Sequence, residues 1–175
     1  MATDPLVRLV GDDEVEGPVK ELFEQMIKMN GAVPKWMRVM ANNGDVLLPF
    51  FGMFRALMDE APVDKKLKWK LAYKVSELNK CEYCVSISQM QLEGLGFEKE
   101  EVANLKDIEK ALTDDEKVAF KYAEAATKSA SSIDPKIFEA LKGAYDDEQI
   151  VELTAVVSLF NFINTFNDAL GVLPD

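Results

Sequence analysis

Two cysteines three positions apart are the residues of this chain whose type and spacing are typical of site chemistry. The segment LNKCEYCVSISQ, residues 78–89, contains both of them, Cys81 and Cys84, as a C-x-x-C pair. The chain contains no histidine, so the most common general base for a reactive cysteine is missing. A structural zinc ion takes four Cys or His ligands, which two cysteines without histidine do not supply. We therefore expect no metal at this pair and no other cofactor.

Three uses of the pair remain open. A permanent disulfide would close a very short loop and remove little entropy from the unfolded chain. Two buried thiols would act as small apolar side chains. A redox dithiol would cycle between thiols and a disulfide, with one sulfur attacking and the other resolving. A helix start stabilises a thiolate, and Asn79-Lys80 marks a break between two helices with a positive charge beside Cys81. The sequence favours the redox dithiol.

The elements that must position the pair are predicted to be helices. Pro62 and Asp64 open the helix before it, and Gly94 ends the helix after it. The first of these helices has an apolar stripe of Leu67, Leu71, Val75 and Leu78. Before this pair of helices, one helix is predicted from Gly17 to Asn30-Gly31, a turn at 34–41, and a second helix after an Asp45 cap. After the pair, a helix is predicted over 98–112. Three more are predicted to start at the Thr113–Glu116 capping box, at Asp134-Pro135, and at Asp146, the last of them ending at Gly171. No alternating strand pattern is present. The prediction is an all-α bundle of about seven to eight helices, as a single domain over 1–175.

The charge balance argues against two classes of partner. The net charge is −11, so the surface repels both nucleic acid and anionic membranes. No uninterrupted apolar run reaches the roughly 18 residues of a membrane span. The first residues lack a basic segment followed by an apolar one, so no secretory signal is expected. We therefore expect a cytoplasmic protein, in which ordinary thiols are kept reduced.

Apolar residues are more abundant than one small bundle comfortably hides. Met and Phe are dense in FFGMFRALM, residues 50–58, and the last helix is apolar on more than one face in VVSLFNFINTF, residues 156–166. A helix that is apolar all round must be buried on several sides. A central core helix would explain this, but subunit contacts are favoured, so we expect a homo-oligomer.

The segment KVSELNKCEYC, residues 74–84, followed by a helix and GLGF, resembles the core motif of the AhpD-like alkylhydroperoxidase and carboxymuconolactone decarboxylase superfamily. The positions in register are Val75, Ser76, Asn79, Cys81, Tyr83, Cys84 and Gly94. The core motif covers about 64–95, and residues 112–172 are similar to the peroxidase-related branch of that superfamily.

The resemblance implies an AhpD-like helical fold, assembly as a homo-oligomer, and peroxide reduction or thiol–disulfide exchange at the two cysteines. The substrate would be a peroxide or a small electrophile, and the reductant an unidentified thiol or disulfide partner. The resemblance assigns attack to Cys84 and resolution to Cys81, whereas the helix-dipole argument favours Cys81 as the attacking sulfur; we follow the resemblance. Tyr83 would position a peroxide oxygen.

The chain departs from the family pattern at both positions of its proton relay. Trp69 stands where the family has a glutamate, twelve residues before Cys81, and Ser88 stands where it has a histidine, four residues after Cys84. A serine hydroxyl donates a hydrogen bond but is no base near neutral pH, and Trp69 is expected to be a core aromatic. Four nearby charged residues are expected to be solvated, namely Lys70, Lys74, Glu77 and Glu82.

A weak peroxidase is the function expected from these departures. One alternative is a catalytically degenerate relative that acts as a redox sensor or an oligomeric scaffold. Another is a lactone enzyme of the carboxymuconolactone decarboxylase type. The absence of histidine counts against the lactone enzyme, because that reaction needs a general acid-base.

We predict that Cys81 and Cys84 form a reversible intramolecular disulfide. Titration of free thiols should show that mild peroxide removes both and that dithiothreitol restores both, because the two sulfurs are close in sequence at a helix start. If both thiols remain unoxidised at peroxide concentrations that oxidise ordinary low-pKa cysteines, the pair consists of inert buried thiols.

Overall fold

The computed structural model describes residues 5–59, 62–103 and 105–174. These residues form helices and the turns that connect them, with no strand. Their ten α-helices are α1 Gly17–Asn30, α2 Lys35–Met40, α3 Gly44–Met58, α4 Lys65–Asn79, α5 Glu82–Gly94, α6 Lys99–Val102, α7 Leu105–Lys110, α8 Asp114–Ser129, α9 Pro135–Ala144 and α10 Asp147–Ala169. A 3-10 turn, Ala130–Ser132, follows α8. The all-α prediction is confirmed.

The chain divides into two compact units. One comprises residues 1–56 and 167–175, and the other comprises residues 57–166. In the first unit the buried apolar side chains come mainly from α1 and α2, with Phe23 and Met37 each 1% exposed. The second unit contains α4 to α9 together with most of α10. Both cysteines lie in this second unit.

The predicted caps of three helices in the second unit are confirmed. Asp64 accepts hydrogen bonds from the backbone of Lys66 and Leu67 at the start of α4, at 2.8 and 3.2 Å. Thr113 and Glu116 form the reciprocal capping box of α8. Asp134 accepts a hydrogen bond from the Lys136 N–H at the start of α9. Each cap satisfies backbone donors that the helix itself leaves without acceptors.

The helix count exceeds the predicted seven to eight because short segments form helices of their own. Residues 35–40 form α2, not a turn, and its four buried side chains are Trp36, Met37, Val39 and Met40. The single helix predicted over 98–112 is replaced by α6 and α7. Val102 and Ile108 are each 1% exposed, yet residues six apart lie on different faces of one α-helix. Two short helices therefore bury both side chains where one straight helix would not.

The predicted start of α3 was wrong. Helix α3 begins at Gly44, so Asp45 lies inside its first turn instead of capping it. There its carboxylate still faces the positive end of the helix dipole. The predicted end of the cysteine helix is confirmed, since α5 ends at Gly94, and the left-handed glycine that follows it is Gly96, with φ of 92°.

Helix α4 is the centre of the second unit, packing on α5 and α8. Three residues of its predicted stripe are buried, Leu67, Leu71 and Val75, whereas Leu78 is half-buried. The same helix also buries a lysine: Lys68 is 0% exposed, and its Nζ contacts Glu152 Oε1 of α10 at 2.9 Å.

The Lys68–Glu152 pair is completed by backbone groups. Lys68 Nζ also donates to the Asp59 carbonyl at 2.6 Å, and Glu152 Oε2 accepts a hydrogen bond from the Val63 N–H at 2.8 Å. A buried charge is tolerated only when it is paired and hydrogen-bonded in this way. The pair therefore joins the chain before α4 to both α4 and α10.

Helix α10 is long and apolar enough to cross a membrane by length and composition, with a mean hydropathy of 1.3 over its best window. The helix contains no uninterrupted apolar run of that length, because Ser, Thr and Asn lie among its apolar residues. Half of that window is buried inside the protein. Core helices of globular proteins pass the same test, so the finding is weak evidence for a membrane span.

Replacing Lys68 with Met should lower the free energy of unfolding by about 3–5 kcal/mol, because the Glu152 carboxylate is left buried without its counter-charge. The double variant Lys68→Met/Glu152→Gln should recover most of that loss, since the amide oxygen still accepts from Val63. Urea unfolding measures both. As a control, Lys99→Met removes an exposed ion pair with Glu93 and should change stability by less than about 1 kcal/mol. Equal losses in Lys68→Met and Lys99→Met would contradict this account.

Candidate functional site

A tight turn between α4 and α5 carries the first cysteine. The Lys80 N–H donates to the Glu77 carbonyl at 3.1 Å, and the Cys81 N–H donates to the Ser76 carbonyl at 3.0 Å. This pair of hydrogen bonds is the Schellman motif, which closes a helix with a left-handed residue. Cys81 is at once the last residue of that motif and the N-cap of α5, so one turn ends α4 and begins the cysteine helix.

The left-handed residue of the turn is Lys80, with φ of 61° and ψ of 30°. Among the described residues other than glycine, Lys80 alone has a positive φ. This conformation costs an ordinary L-residue roughly 1–2 kcal/mol, and glycine is the residue that usually occupies it. The backbone immediately before Cys81 is therefore strained.

Both sulfurs belong to the first turn of α5 and are protected from solvent. Cys81 is 0% exposed and Cys84 is 5% exposed, and both are thiols. Tyr83, between them, is also buried. The first turn of a helix presents N–H groups and a positive dipole end, which favour a thiolate, whereas burial disfavours one. The first turn of α5 thus brings Cys81, Tyr83 and Cys84 together, and Cys84 is the more exposed of the two cysteines.

Ser88 follows Cys84 by one helical turn, on the same face of α5. Its side chain is 0% exposed, and its Oγ has no hydrogen-bond partner within the part of the chain that the structure describes. A buried hydroxyl without a partner costs about 1–3 kcal/mol. The hydroxyl is therefore able to donate a hydrogen bond to an oxygen or sulfur brought next to Cys84.

Trp69 is a core aromatic, as expected. It is 4% exposed and meets the ring of Phe160 on α10 edge to face, with centroids 5.9 Å apart. Such pairs contribute about 0.5–1.5 kcal/mol beyond the burial of their area. Trp69 therefore joins α4 to α10.

Two of the charged residues expected to be solvated are not. Lys70 and Lys74 are largely buried and each contacts a glutamate at 2.7 Å, Glu116 and Glu109 respectively. The expectation was wrong because neighbouring helices supply carboxylates that the linear sequence does not reveal. Glu77 and Glu82 are exposed, as expected.

An open cleft of about 350 Å³ lies beside the start of α5. Its lining consists of Glu77, Lys80, Glu82, Val85, Ser86 and Gln89. Tyr73 is adjacent, because its hydroxyl accepts a long hydrogen bond from Gln89 Nε2 at 3.5 Å. Burial raises the pKa of Tyr73 above its ordinary value, and the Glu77 carboxylate raises it further. Tyr73 therefore stays neutral over the pH range in which thiols ionise.

No group of three or more His, Cys, Asp or Glu side chains is placed to hold a metal ion within residues 5–59, 62–103 and 105–174.

Sequence comparison alone finds a distant relative. No protein-family model matches the chain. It is 25% identical over 114 residues to the uncharacterized protein YnjA of Escherichia coli, a match that spans 64% of this chain and 63% of YnjA. The match therefore covers less than two thirds of that relative.

Solved structures decide the fold. An uncharacterized peroxidase-related protein from Silicibacter sp. TM1040 matches with a TM-score of 0.84 and 24% identity, over 99% of this chain and 91% of its own. A peroxidase-related protein from Ralstonia eutropha JMP134, described as an alkylhydroperoxidase AhpD core, matches with a TM-score of 0.85 and 19% identity, over 98% and 92%. The chain has the AhpD-like fold.

A third protein of this AhpD-like fold has a ligand. A cysteine-to-alanine variant of the debrominase Bmp8, in complex with 2,3,4-tribromopyrrole, matches with a TM-score of 0.81 and 22% identity, over 97% of this chain and 91% of that one. At this identity the likeness concerns the fold alone.

Sequence reasoning missed two residues of α10 that form hydrogen bonds with the segment before the cysteines. Asn79 Nδ2 donates to the side-chain oxygens of Asn161 and Asn164 on α10, at 2.8 and 2.9 Å. Asn164 in turn donates to Ser76 Oγ at 3.1 Å. The signal was present, since asparagines three residues apart interrupt an otherwise apolar stretch of α10. Only the packing of α10 against α4 shows which residues they serve.

Replacing Lys80 with Gly should raise the free energy of unfolding by about 0.5–1 kcal/mol, because glycine adopts the left-handed conformation without strain. The matched control is Lys121→Gly, in an exposed position of α8, where glycine should lower stability by about 0.5–1 kcal/mol. Urea unfolding decides the sign of each. A loss at both positions would show that the Lys80 turn is not strained.

Proposed function

We propose that this chain is a thiol-dependent peroxidase-like oxidoreductase in which Cys84 and Cys81 cycle between a dithiol and a disulfide. The observation that carries the proposal is the position of both thiols in the first turn of α5, joined to α4 by a hydrogen-bonded turn. The greater exposure of Cys84, 5% against 0% for Cys81, supports Cys84 as the attacking sulfur and Cys81 as the resolving one.

In the proposed reaction a peroxide is the oxidant and an external dithiol is the reductant. The Cys84 thiolate attacks one peroxide oxygen, the O–O bond breaks, and the leaving alkoxide or hydroxide takes a proton from water. Cys81 loses its proton to water, its thiolate attacks the sulfur of the resulting sulfenic acid, the S–O bond breaks, and the departing hydroxide takes up a proton from water as the disulfide forms. A dithiol reductant returns the protein to its thiol form by exchange and is itself oxidised to a disulfide.

In this proposal Ser88 and Tyr83 supply hydroxyl groups that bind the peroxide. The Ser88 hydroxyl lies one turn beyond Cys84 and donates a hydrogen bond to the peroxide or sulfenate oxygen. Tyr83 offers a second hydroxyl in the same helical turn. Neither is a base near neutral pH, so the thiolate fraction limits the rate. Turnover is therefore slow at neutral pH, and its rate increases with pH as a larger fraction of the thiol ionises.

A second candidate substrate is a small halogenated ring, which the likeness to the debrominase Bmp8 favours. The same dithiol supplies the two electrons required. One C–Br bond is replaced by C–H, bromide and a proton are released, and two thiols become one disulfide. Release of bromide from tribromopyrrole in the presence of dithiothreitol, without turnover of any peroxide, would favour this substrate over peroxide.

The proposed partners are therefore a small electrophile and a dithiol reductant. We further propose that the protein acts as a homo-oligomer, on the basis of its exposed apolar side chains. These include Met90, Val151 and Phe162, which are 55%, 68% and 48% exposed. Light scattering distinguishes an oligomer from a monomer of 19.6 kDa.

Cys84→Ser should abolish peroxide consumption with dithiothreitol as donor. Cys81→Ser should stop turnover after the first step, leaving a Cys84 sulfenic acid that dimedone traps and mass spectrometry detects. Ser88→Ala should slow oxidation by about threefold to tenfold, the effect of one lost hydrogen bond. Ser158→Ala is the matched control, because Ser158 is an exposed serine on α10 that does not line the cleft, and it should leave the rate unchanged.

Two outcomes would contradict the proposal. If dimedone labels Cys81 in a Cys84→Ser variant that still consumes peroxide, the roles of the two cysteines are reversed. If the disulfide forms once but no dithiol donor supports turnover, the redox-sensor function replaces the peroxidase.

A further inference from the structure

Three side-chain amides lie beside the turn that carries Cys81, with Asn164 fully buried and Asn79 and Asn161 half-buried. Asn79 uses both amide hydrogens, one to Asn161 and one to Asn164. Asn164 Nδ2 in turn donates a hydrogen bond to Ser76 Oγ. Ser76 and Asn164 are both 0% exposed. This polar network, which we call the asparagine network, consists of Ser76, Asn79, Asn161 and Asn164.

The asparagine network holds both ends of the dithiol turn. Ser76 is the residue whose carbonyl accepts the Cys81 N–H, and Asn79 is the last residue of α4 before Lys80. The Cys81 carbonyl then accepts the Val85 N–H at 3.0 Å, the first hydrogen bond of α5. The position of Cys81 therefore depends on two residues whose side chains are fixed by α10.

The network is also anchored on its far side. Asn161 Nδ2 donates to the Val157 carbonyl at 3.0 Å and to Thr127 Oγ1 of α8 at 3.3 Å. Several other core positions of α10 nearby are apolar, including Val156, Phe160 and Ile163, although Asn167 is also buried. Buried amides stabilise a fold no better than well-packed apolar side chains unless they are fully hydrogen-bonded. These amides are clustered beside the dithiol turn, and packing alone does not explain that location.

We propose that Asn79, Asn164 and Ser76 are positioning residues that set the reactivity of the dithiol by holding Cys81 at the start of α5. This inference rests on the proposed dithiol function. The strained Lys80 conformation requires neighbouring contacts that maintain it, and the network supplies them at Ser76 and Asn79. The N–H groups at the helix start stabilise a thiolate only within the first turn, so their effect depends on the exact placement of that turn.

The electrostatic surroundings stay constant when the network is altered. The charged groups lining the cleft at this end of α4 and α5 are Glu77, Lys80 and Glu82, and none belongs to the network. Tyr73 on α4 is neutral in the relevant pH range. Between Glu152 and Asp168, α10 contributes no charged residue. A change in thiol reactivity on removal of a network side chain is therefore a change of position.

The test compares Asn79→Ala and Ser76→Ala with the control Tyr122→Phe. The control removes another part-buried contact between α8 and α10, the 2.8 Å hydrogen bond between the hydroxyls of Tyr122 and Thr154. Alkylation of the reduced protein by iodoacetamide is followed by mass spectrometry from pH 6 to pH 10, and urea unfolding reports stability. The readout is the ratio of alkylation rates at pH 7 and pH 10, because local opening alone raises both rates together.

The two network variants should lower that ratio by about twofold to fivefold, the loss expected when helix-start stabilisation of the thiolate is weakened. Tyr122→Phe should leave the ratio at the wild-type value even if its stability falls. The proposal is overturned if the network variants lose stability but keep the wild-type ratio, or if Tyr122→Phe lowers the ratio equally. If Asn79→Ala does not fold, Ser76→Ala decides, since it removes a single hydroxyl.

Alkylation requires no peroxide, so the two proposals fail separately. A wild-type protein that consumes no peroxide, with a lowered ratio in the network variants, overturns the peroxidase function and retains the positioning role. A protein that turns over peroxide, with an unchanged ratio, does the reverse.

Discussion

The hydrogen bond from the Cys81 N–H to the Ser76 carbonyl is the constraint on which the candidate site depends. It fixes where α4 stops, and since Cys81 is also the N-cap of α5, it fixes where the next helix begins. The bond requires Lys80 to be left-handed, which an L-residue resists. Cys84 then takes its place in the first turn of α5, and Ser88 lies one turn further along the same face. A change in this turn would move all of these groups together.

Helix α4 combines two roles that usually conflict, because it is both the core helix of its unit and a carrier of buried charge. Lys68, Lys70 and Lys74 each find a glutamate on a different neighbour, α10, α8 and α7 respectively. Buried ion pairs add little stability compared with apolar residues, yet each is costly to break. Their effect is to specify which helices pack against α4. The asparagines of α10 add the same kind of specificity at the cysteine end.

The chemistry available at the dithiol follows from opposing electrostatic effects. The start of α5 favours a thiolate, and burial in apolar surroundings disfavours it. No histidine exists in the chain to take the proton, and Trp69 is committed to packing on Phe160. In the proposed function, the position of the sulfurs therefore contributes more to reactivity than acid-base assistance does. Ser88, a buried hydroxyl beside Cys84, offers hydrogen bonding without proton transfer.

The sequence by itself determined the helical class and the caps at Asp64 and Thr113, because these depend on hydrogen bonds within a few residues. It also placed both cysteines at a helix start, since C-x-x-C after a helix break is a local pattern. The tertiary structure alone decided which side chains surround them. The partners of Lys70 and of Asn79 lie 46 and 85 residues away at their farthest, and no local pattern encodes such a distance. The split of 98–112 into α6 and α7 was likewise decided by which apolar side chains the neighbouring helices could bury.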